Sequence, residues 1–299
     1  MTRPIGSRGI AGSLWVFLFC FYGVTGTGHS SLSDGYLLFL TARNLLVEAD
    51  PSIPPVFLGG EKLGRNGKYY CKYGPGLAIA HLPMLLAARA LPVLEPRVDH
   101  GGVDPLERDE FFAVLSNAWL MATAVTLVFL CGVRLGFTVR QSAAVAGVTA
   151  FASPLWLYAR IDSTEALQTT ALIAAFHFLL AWRKNARSAS LWLGGAALGV
   201  ALLAKPANLL LAPWFAAYAL AAEPARGRRA GAALAFFAPF ALAVASVGLY
   251  NYLRFGDALD TGFDFQKETF SQPLLRGMAK MLLSPSYGMI VFWPASLLL

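Results

Sequence analysis

Charged residues are scarce in this sequence, and their scarcity excludes an ordinary soluble domain. Charged side chains make up 14% of the 299 residues, hydrophobic side chains make up 57%, and the mean hydropathy is +0.55. An average soluble domain has about 25% charged residues. Several apolar runs reach or approach the roughly 20 residues that a helix needs to cross the membrane. The composition therefore predicts an integral membrane protein.

The apolar runs lack the period-two alternation of hydrophobic and polar residues that membrane strands show. This absence disfavours a β-barrel and leaves helices, which satisfy their own backbone hydrogen bonds within lipid. The predicted fold is all-α: a polytopic helix bundle of about eight spans that forms one module over residues 1–299. The predicted spans are 10–24, 111–132, 142–158, 166–182, 191–204, 207–221, 230–252 and 281–299.

Cysteines are also few, and they indicate neither a disulfide framework nor a zinc site. Cys20, Cys71 and Cys131 lie far apart and lack the spacing of metal ligands. We interpret them as small apolar side chains in the packing. The net charge of +7 does not predict a nucleic-acid partner, because apolar segments separate the basic residues instead of gathering them on one face.

The distribution of basic residues predicts the orientation. Two arginines precede the first apolar run, which is typical of a start-transfer helix with a cytoplasmic N-terminus, although a cleaved signal peptide stays an alternative. If residues 77–94 do not fully cross, ten Lys and Arg residues share the cytoplasmic side with one acid, Glu223, and the other sixteen of the 17 acids lie outside. The ten are Arg3, Arg8, Arg134, Arg140, Arg183, Lys184, Arg187, Arg226, Arg228 and Arg229. We therefore expect a multi-pass protein of the plasma (inner) membrane.

The same distribution places residues 30–109 in a long outer loop. A polar stripe on residues 36–49 is typical of an interfacial helix, and the prolines and glycines of 51–60 interrupt regular structure. Asn66-Gly67 predicts a turn. The apolar stretch 77–94 is interpreted as a re-entrant or juxtamembrane helix, because a full crossing would move the basic loops to the outer face.

Polar residues from several short loops collect on this outer face. Acids at the end of a bundle can act as a general base or hold a divalent cation, and basic side chains can bind phosphate. Each has a simpler interpretation. Asp34 could cap a helix, Lys72 could extend its amine to the interface, Glu165 could complement a helix N-terminus, and His81 and His177 could be packing residues.

Three motifs resemble those of bacterial GT-C glycosyltransferases. They are Ser-Asp-Gly-Tyr at 33–36, Lys-Tyr-Tyr-Cys-Lys-Tyr-Gly-Pro-Gly at 68–76, and Tyr-Asn-Tyr-Leu-Arg-Phe-Gly-Asp-Ala-Leu-Asp-Thr-Gly-Phe at 250–263. Their order and spacing are similar to those of the protein O-mannosyltransferase and aminoarabinose transferase group, which uses polyprenyl-phosphate sugars. The likeness covers nearly the whole chain. Many relatives have paired acids in the first loop, whereas this sequence has Asp34-Gly35.

The resemblance implies that Asp34 is the catalytic base, that Lys72 binds the donor phosphate, and that Glu165 or Asp162 holds a divalent cation such as Mg or Mn. Lys205 and Arg160 are further candidates for binding the donor phosphate, because they are basic residues of the outer-face loops.

The function implied is inverting transfer of a sugar from a polyprenyl-phosphate donor to a glycan, lipid or protein acceptor at the outer face, within membrane lipids. A lipid or solute transporter is an alternative, but it would favour ionisable groups near the middle of the membrane and matched halves. Relatives continue for several spans beyond the position that matches Leu299. A truncated, inactive GT-C fragment is therefore a further alternative.

Overall fold

The computed structural model describes residues 6–56, 59–91, 105–221, 229–263, 273–286 and 288–293, and it is mostly helical. The helices are α1 (Ser7–Thr25), α2 (Ser33–Glu48), α3 (Gly76–Ala90), α4 (Pro105–Arg134), α5 (Val139–Phe151), α6 (Leu155–Arg160), α7 (Thr164–Asn185), α8 (Ser188–Ala204), α9 (Ala212–Ala221), α10 (Arg229–Phe255), α11 (Leu274–Leu283) and α12 (Met289–Phe292). A 3₁₀ helix, Pro206–Leu211, joins α8 to α9. Two short strands, β1 (Glu61–Leu63) and β2 (Tyr69–Cys71), form a hairpin.

Four helices in the described part of the chain are long and apolar enough to cross a membrane: α1, α4, α7 and α10. Three shorter apolar segments accompany them, namely α3, α8 and the stretch from 206 to 221. The predicted helical membrane character is thus confirmed at this coarser level, while the count of eight spans stays a prediction. Within the last predicted span, 281–299, α11 ends at Leu283 and α12 begins at Met289, so its described part is not one helix. Residues 287 and 294–299 lie outside the described residues.

Two groups of buried side chains hold the bundle together. The first is centred on α4, where Met121, Val125 and Phe129 are almost fully buried among residues of α1, α2 and α3. The second joins α7, α8 and α10 and includes Leu198 and Phe236. Within a membrane, such contacts stabilise helix association through van der Waals packing, since lipid chains are as apolar as these side chains. These two clusters fix the helices whose ends form the cavity described below.

The predicted span 142–158 is wrong as a single helix. It consists of α5 and α6, separated at residues 152–154. Pro154 disfavours a helical conformation in the residue before it. The Ser153 hydroxyl donates to the Thr149 carbonyl at 2.6 Å, and the Leu155 amide donates to the Ser153 hydroxyl oxygen at 3.2 Å. The break is therefore stabilised by local hydrogen bonds from both sides.

The chain turns at Lys205-Pro206, between the predicted spans 191–204 and 207–221. Helix α8 ends at Ala204, and the side-chain amide of Asn208 donates to the Ala201 carbonyl at 2.8 Å across the turn. Helix α9 then returns beside α7, where the Trp182 indole donates to the Ala219 carbonyl at 3.2 Å. Because Pro206 has no backbone N–H and occupies the first position of the 3₁₀ helix, α8 does not continue through it.

The β-hairpin was not predicted from the sequence, although its turn was. Glu61 pairs with Cys71 and Leu63 with Tyr69, and Gly67 has φ of 78° in the turn. The strands are three residues long, too short for alternation to be recognised. The hairpin lies against the end of α10, where the Arg65 amide donates to the Arg254 carbonyl at 3.0 Å.

Helix α2 packs against neighbouring elements of the protein, while its predicted interfacial position stays a prediction. Residues 37–42 are all buried, so most of two consecutive turns contact neighbouring elements. Within the polar stripe, the side-chain amide of Asn44 donates to the Ser52 carbonyl at 2.8 Å. Helix α3 has 15 residues, a length of about 22 Å at 1.5 Å per residue. That length is short of the roughly 30 Å of hydrocarbon.

Candidate functional site

A cavity of about 420 Å³ lies where six parts of the chain meet, at the end of the bundle where α7 begins and α10 ends. We call this the cavity end. The lining combines four charged side chains with polar and apolar ones: Asp34, Lys72, Tyr73, Gly74, Thr164, Ala204, Lys205, Pro206, Ala207, Val247, Asn251, Arg254, Thr261 and Phe263. Asp34, Lys72 and Lys205, which are distant in sequence, therefore face one space.

Asp34 reaches the cavity from the first turn of α2. The N-cap of α2 is Leu32 and has no side-chain cap, so the interpretation of Asp34 as the helix cap is wrong. The next residue, Gly35, packs on the backbone of Asp162: a Cβ at Gly35 would lie 2.4 Å from the Asp162 carbonyl oxygen. A glycine at 35 thus permits the close approach that sets the position of Asp34.

The environment of Asp34 favours the protonated carboxyl. Burial raises the pKa of Asp34 above its ordinary value, and the amides of Gly35 and Asp34 offset part of the effect. The nearby carboxylates of Glu165 and Asp162 raise the pKa further. A carboxyl group tuned towards neutral pH in this way is suited to taking up a proton.

We expect Gly35→Ala to displace the start of α2. The added methyl would overlap the Asp162 carbonyl, and such overpacking costs about 1–3 kcal/mol. The midpoint of thermal unfolding in detergent should fall accordingly. Gly12→Ala, on the open surface of α1, is the matched control, since a Cβ there has no neighbour within 4 Å among the described residues. Equal midpoints for the two variants would contradict this account of Gly35.

Lys72 follows β2 directly and is brought to the cavity by the glycine-rich turn after it. A Cβ at Gly74 would lie 2.3 Å from the Leu203 carbonyl oxygen, and one at Gly76 would lie 2.7 Å from the Ala204 amide. These glycines let the turn pack on the end of α8, which brings Lys72 and Lys205 to the same cavity.

The loop after α10 covers Lys72 from the other side. The Lys72 amine lies 4.7 Å from the centre of the Phe263 ring, and Phe263 packs edge-on against Tyr73. Asp260 anchors the loop by accepting two hydrogen bonds from the Lys62 amine, both 2.8 Å. Apolar and aromatic surface thus surrounds the Lys72 amine, which strengthens its attraction to an anion.

Lys205 and Glu165 form an ion pair at the edge of the cavity. The Ser163 hydroxyl also donates to Glu165. Lys205 keeps 39% of its side-chain surface exposed, so its amine can contact Glu165 and a ligand together. The pair links the start of α7 to the turn after α8.

Asp162, the other carboxylate expected to hold a cation, is sealed inside the protein. Its carboxylate lies 3.3 Å from the His81 Nε2, with both side chains fully buried, and it accepts a hydrogen bond from the Ser30 hydroxyl at 3.2 Å. Among the described residues, no group of three or more His, Cys, Asp or Glu side chains could hold a metal ion. The pair Asp162 and Glu165 therefore does not fit a shared cation.

Arg160 is not brought to the cavity. Its Nε donates to the Thr25 carbonyl at 2.6 Å, and its own carbonyl accepts from the Thr27 amide at 3.2 Å. These contacts join α6 to the end of α1. Of the three expected phosphate ligands, Lys72 and Lys205 line the cavity, whereas Arg160 connects two helices.

Arg254 is a cavity residue that the sequence did not single out. Only 2% of its surface is exposed, and its guanidinium donates to the Cys71 carbonyl and, at 2.8 Å, to Asn251 Oδ1. The Tyr250 ring stacks on it, with 3.8 Å from the guanidinium carbon to the ring centre. A guanidinium has five N–H donors, and its contacts with described residues use three. Its position inside the third sequence motif was the available signal.

A second cavity, of about 370 Å³, lies beside the first and is almost wholly apolar. It runs between α3, α4, α7 and α8, and its wall includes Gly76 and Leu203. These residues adjoin Gly74 and Ala204 of the charged cavity. A space for a charged group and a space for hydrocarbon thus lie next to each other.

Comparisons of the chain with protein-family models, with curated proteins and with solved structures found no match. The class that the fold and site define is a helical protein whose described residues include four helices able to span a membrane and a charged cavity at one end. The GT-C resemblance stays an expectation from the three motifs.

Proposed function

We propose that the chain transfers a sugar from a polyprenyl-phosphate donor to an acceptor at the outer face of the membrane. One observation carries the proposal: Asp34, Lys72, Lys205 and Arg254 line a single cavity at the end of a bundle of apolar helices. The cavity offers a base and three cations in one place. Such a set matches a reaction in which a hydroxyl loses a proton and a phosphate gains charge.

The adjoining apolar cavity supports a lipid-linked donor. The isoprenoid chain would occupy the space between α3, α4, α7 and α8. The phosphate would lie where the turn that contains Gly74 packs against the end of α8 at Ala204. Water-soluble donors have no apolar chain for the second cavity. This arrangement favours a lipid-linked donor over a nucleotide sugar.

Asp34 acts as the general base in this proposal. The acceptor hydroxyl oxygen attacks the anomeric carbon from the face opposite the phosphate, and its proton passes to the Asp34 carboxylate. The bond between the anomeric carbon and the phosphate oxygen breaks, its electrons stay with that oxygen, and polyprenyl phosphate departs. The configuration at the anomeric carbon is inverted. A raised pKa makes the Asp34 carboxylate a stronger base than an exposed aspartate.

Lys72, Lys205 and Arg254 stabilise the departing phosphate. Positive groups fixed where charge develops need no rearrangement during the reaction, so their effect on the barrier is large. The aromatic contacts of Lys72 and the ion pair of Lys205 with Glu165 hold two of them in place. Because Asp162 and Glu165 do not fit a shared cation, no step is assigned to a metal.

The direct test is a transfer assay in proteoliposomes. Purified protein would be supplied with a polyprenyl-phosphate hexose labelled in the sugar, together with an extract of cell-envelope glycans and lipids as acceptors. Formation of free polyprenyl phosphate and labelled acceptor in equal amounts would support the proposal. Movement of labelled lipid between leaflets without breakage of the sugar-phosphate bond would instead support the transporter alternative.

We expect Lys72→Gln to weaken donor binding about 10- to 100-fold, because a charge-assisted contact contributes about 1.5–3 kcal/mol. The measurement is the apparent Kd for polyprenyl phosphate, from native mass spectrometry of the purified protein. Lys68→Gln is the matched control, since Lys68 lies in the same segment but is exposed and paired with Asp50. The same Kd in both variants would remove Lys72 from the phosphate site.

A further inference from the structure

Helix α11 is strongly amphipathic and has an exposed apolar face. At 100° per residue, five large apolar side chains fall within an arc of about 120°. They are Leu274, Leu275, Met278, Met281 and Leu282. Leu274 and Leu275 are 78% and 80% exposed, and no residue of α11 is buried. The face therefore has no cover within the described part of the chain.

The opposite face of α11 is basic. Arg276 and Lys280 lie four residues apart, so they are neighbours on one side of the helix, and both are exposed. The ten residues of α11 include no acid. A short helix with an apolar face and a basic face is typical of segments that lie in the plane of an anionic membrane surface.

The chain places α11 on the same side of the membrane as the cavity. Helix α10 ends at Phe255 at the cavity end, and the following loop folds back over Lys72 up to Phe263. Residues 264–272 are nine in number and include Asp264, Lys267 and Glu268. A crossing helix needs roughly 20 mainly apolar residues, and a sequence of nine residues with three charges is too short and too polar to form one.

We propose that α11 binds the membrane surface at the cavity end, with its leucines and methionines in the acyl region and Arg276 and Lys280 on anionic lipid headgroups. The charge distribution decides the partner. Two positive residues without an acid complement an anionic surface, whereas a second α11 would bring like charges together. This inference stands independently of the proposed transfer reaction.

The test measures the depth of α11 with a nitroxide label in the full chain. The background is Cys20→Ser, since Cys20 is exposed while Cys71 and Cys131 are buried. Labels at Met278→Cys, on the apolar face, and at Leu283→Cys, beside Arg276 at the edge of the basic face, are compared in vesicles of phosphatidylcholine with and without one-third phosphatidylglycerol. Collisions with oxygen report the acyl region, and collisions with a water-soluble nickel chelate report the aqueous phase.

In anionic vesicles, the ratio of oxygen to nickel collisions should be several-fold higher at 278 than at 283. Two basic residues should shift the equilibrium between undocked and membrane-docked α11 about 30-fold towards docking when the vesicles contain phosphatidylglycerol. The double variant Arg276→Gln, Lys280→Gln should lose this dependence on phosphatidylglycerol. Equal ratios at 278 and 283 would overturn the proposal. So would a ratio at 278 that is insensitive to phosphatidylglycerol, or label-to-label coupling showing that a second copy covers the face.

Discussion

Replacing Asp34 by Asn is expected to lower sugar transfer about 10²- to 10⁴-fold, the usual contribution of a positioned general base. Asn has nearly the same shape as Asp but cannot accept the proton of the acceptor hydroxyl. Asp34 lies in the first turn of α2 without capping it, so the fold should be kept. The rate of polyprenyl phosphate release in proteoliposomes measures the loss, and the unfolding midpoint verifies the fold.

Asp257→Asn is the matched control. Asp257 lies near the same end, in the loop after α10, but does not line the cavity. Its carboxylate accepts a hydrogen bond from the Leu259 amide at 2.9 Å, and the carbonyl oxygen of Asn can accept the same bond. Transfer should therefore stay within about twofold of the unaltered rate. Undiminished transfer in the Asp34 variant would remove Asp34 from the role of base.

The pH dependence of sugar transfer is a second test of Asp34 as the general base. Burial first, and then the carboxylates of Glu165 and Asp162, raise the pKa of Asp34. The base must be deprotonated to act, so transfer should fall as the pH drops through this raised pKa. The acid limb of the profile should thus lie above the ordinary value of an aspartate, and Asp34→Asn should abolish it. A limb at the ordinary aspartate value would contradict the effect of burial.

The sequence predicted the parts of the site whose signals are local. Asp34 and Lys72 stand beside polar or glycine-rich residues in an otherwise apolar chain, and Lys205 precedes a proline that ends a helix. Which of these residues meet depends on packing between distant segments. The contact of Gly35 with Asp162, and that of Gly74 with Leu203, have no signature in a single sequence.

The partners of the buried charged side chains could not be predicted from the sequence either, because they too depend on packing between distant segments. The resemblance assigned a divalent cation to Glu165 or Asp162. In the structure, the Asp162 carboxylate lies beside His81 and the Glu165 carboxylate pairs with Lys205, because each lies beside a different neighbouring segment. His81 had been interpreted as a packing residue. It is buried, but as the partner of an acid.

Arg254 lies at the end of a predicted span, and its burial could not be predicted from that position. A basic residue in the last turn of a helix complements the helix dipole and needs no other explanation. The hairpin that covers Arg254 was not predicted, since its strands have three residues each. Its docking converts an ordinary terminal charge into a fully buried one whose guanidinium holds β2 against α10. Arg254 therefore connects the wall of the cavity with the segment that carries Lys72.

Arg254→Gln is accordingly expected to reduce both stability and transfer. The shorter neutral side chain would leave the buried Cys71 carbonyl and Asn251 side chain without their donor. Leaving a buried polar group unsatisfied costs about 1–3 kcal/mol, so the loss for two such groups should be about 2–6 kcal/mol. Lys72 directly follows Cys71, so loosening of the hairpin should also displace the phosphate site and lower transfer at least about tenfold.

Arg65→Gln separates this effect from a general loss of surface charge. Arg65 lies in the same hairpin and packs over the Tyr252 ring at 5.1 Å, but its side chain is exposed, and surface changes usually stay within about 0.5 kcal/mol. Thermal unfolding in detergent and polyprenyl phosphate release would be measured for both variants. Arg254→Lys keeps the charge but cannot span both acceptors, so it should recover part of the stability and little of the transfer. If Arg254→Gln unfolds at the same temperature as Arg65→Gln, then the bonds to Cys71 and Asn251 do not hold the hairpin.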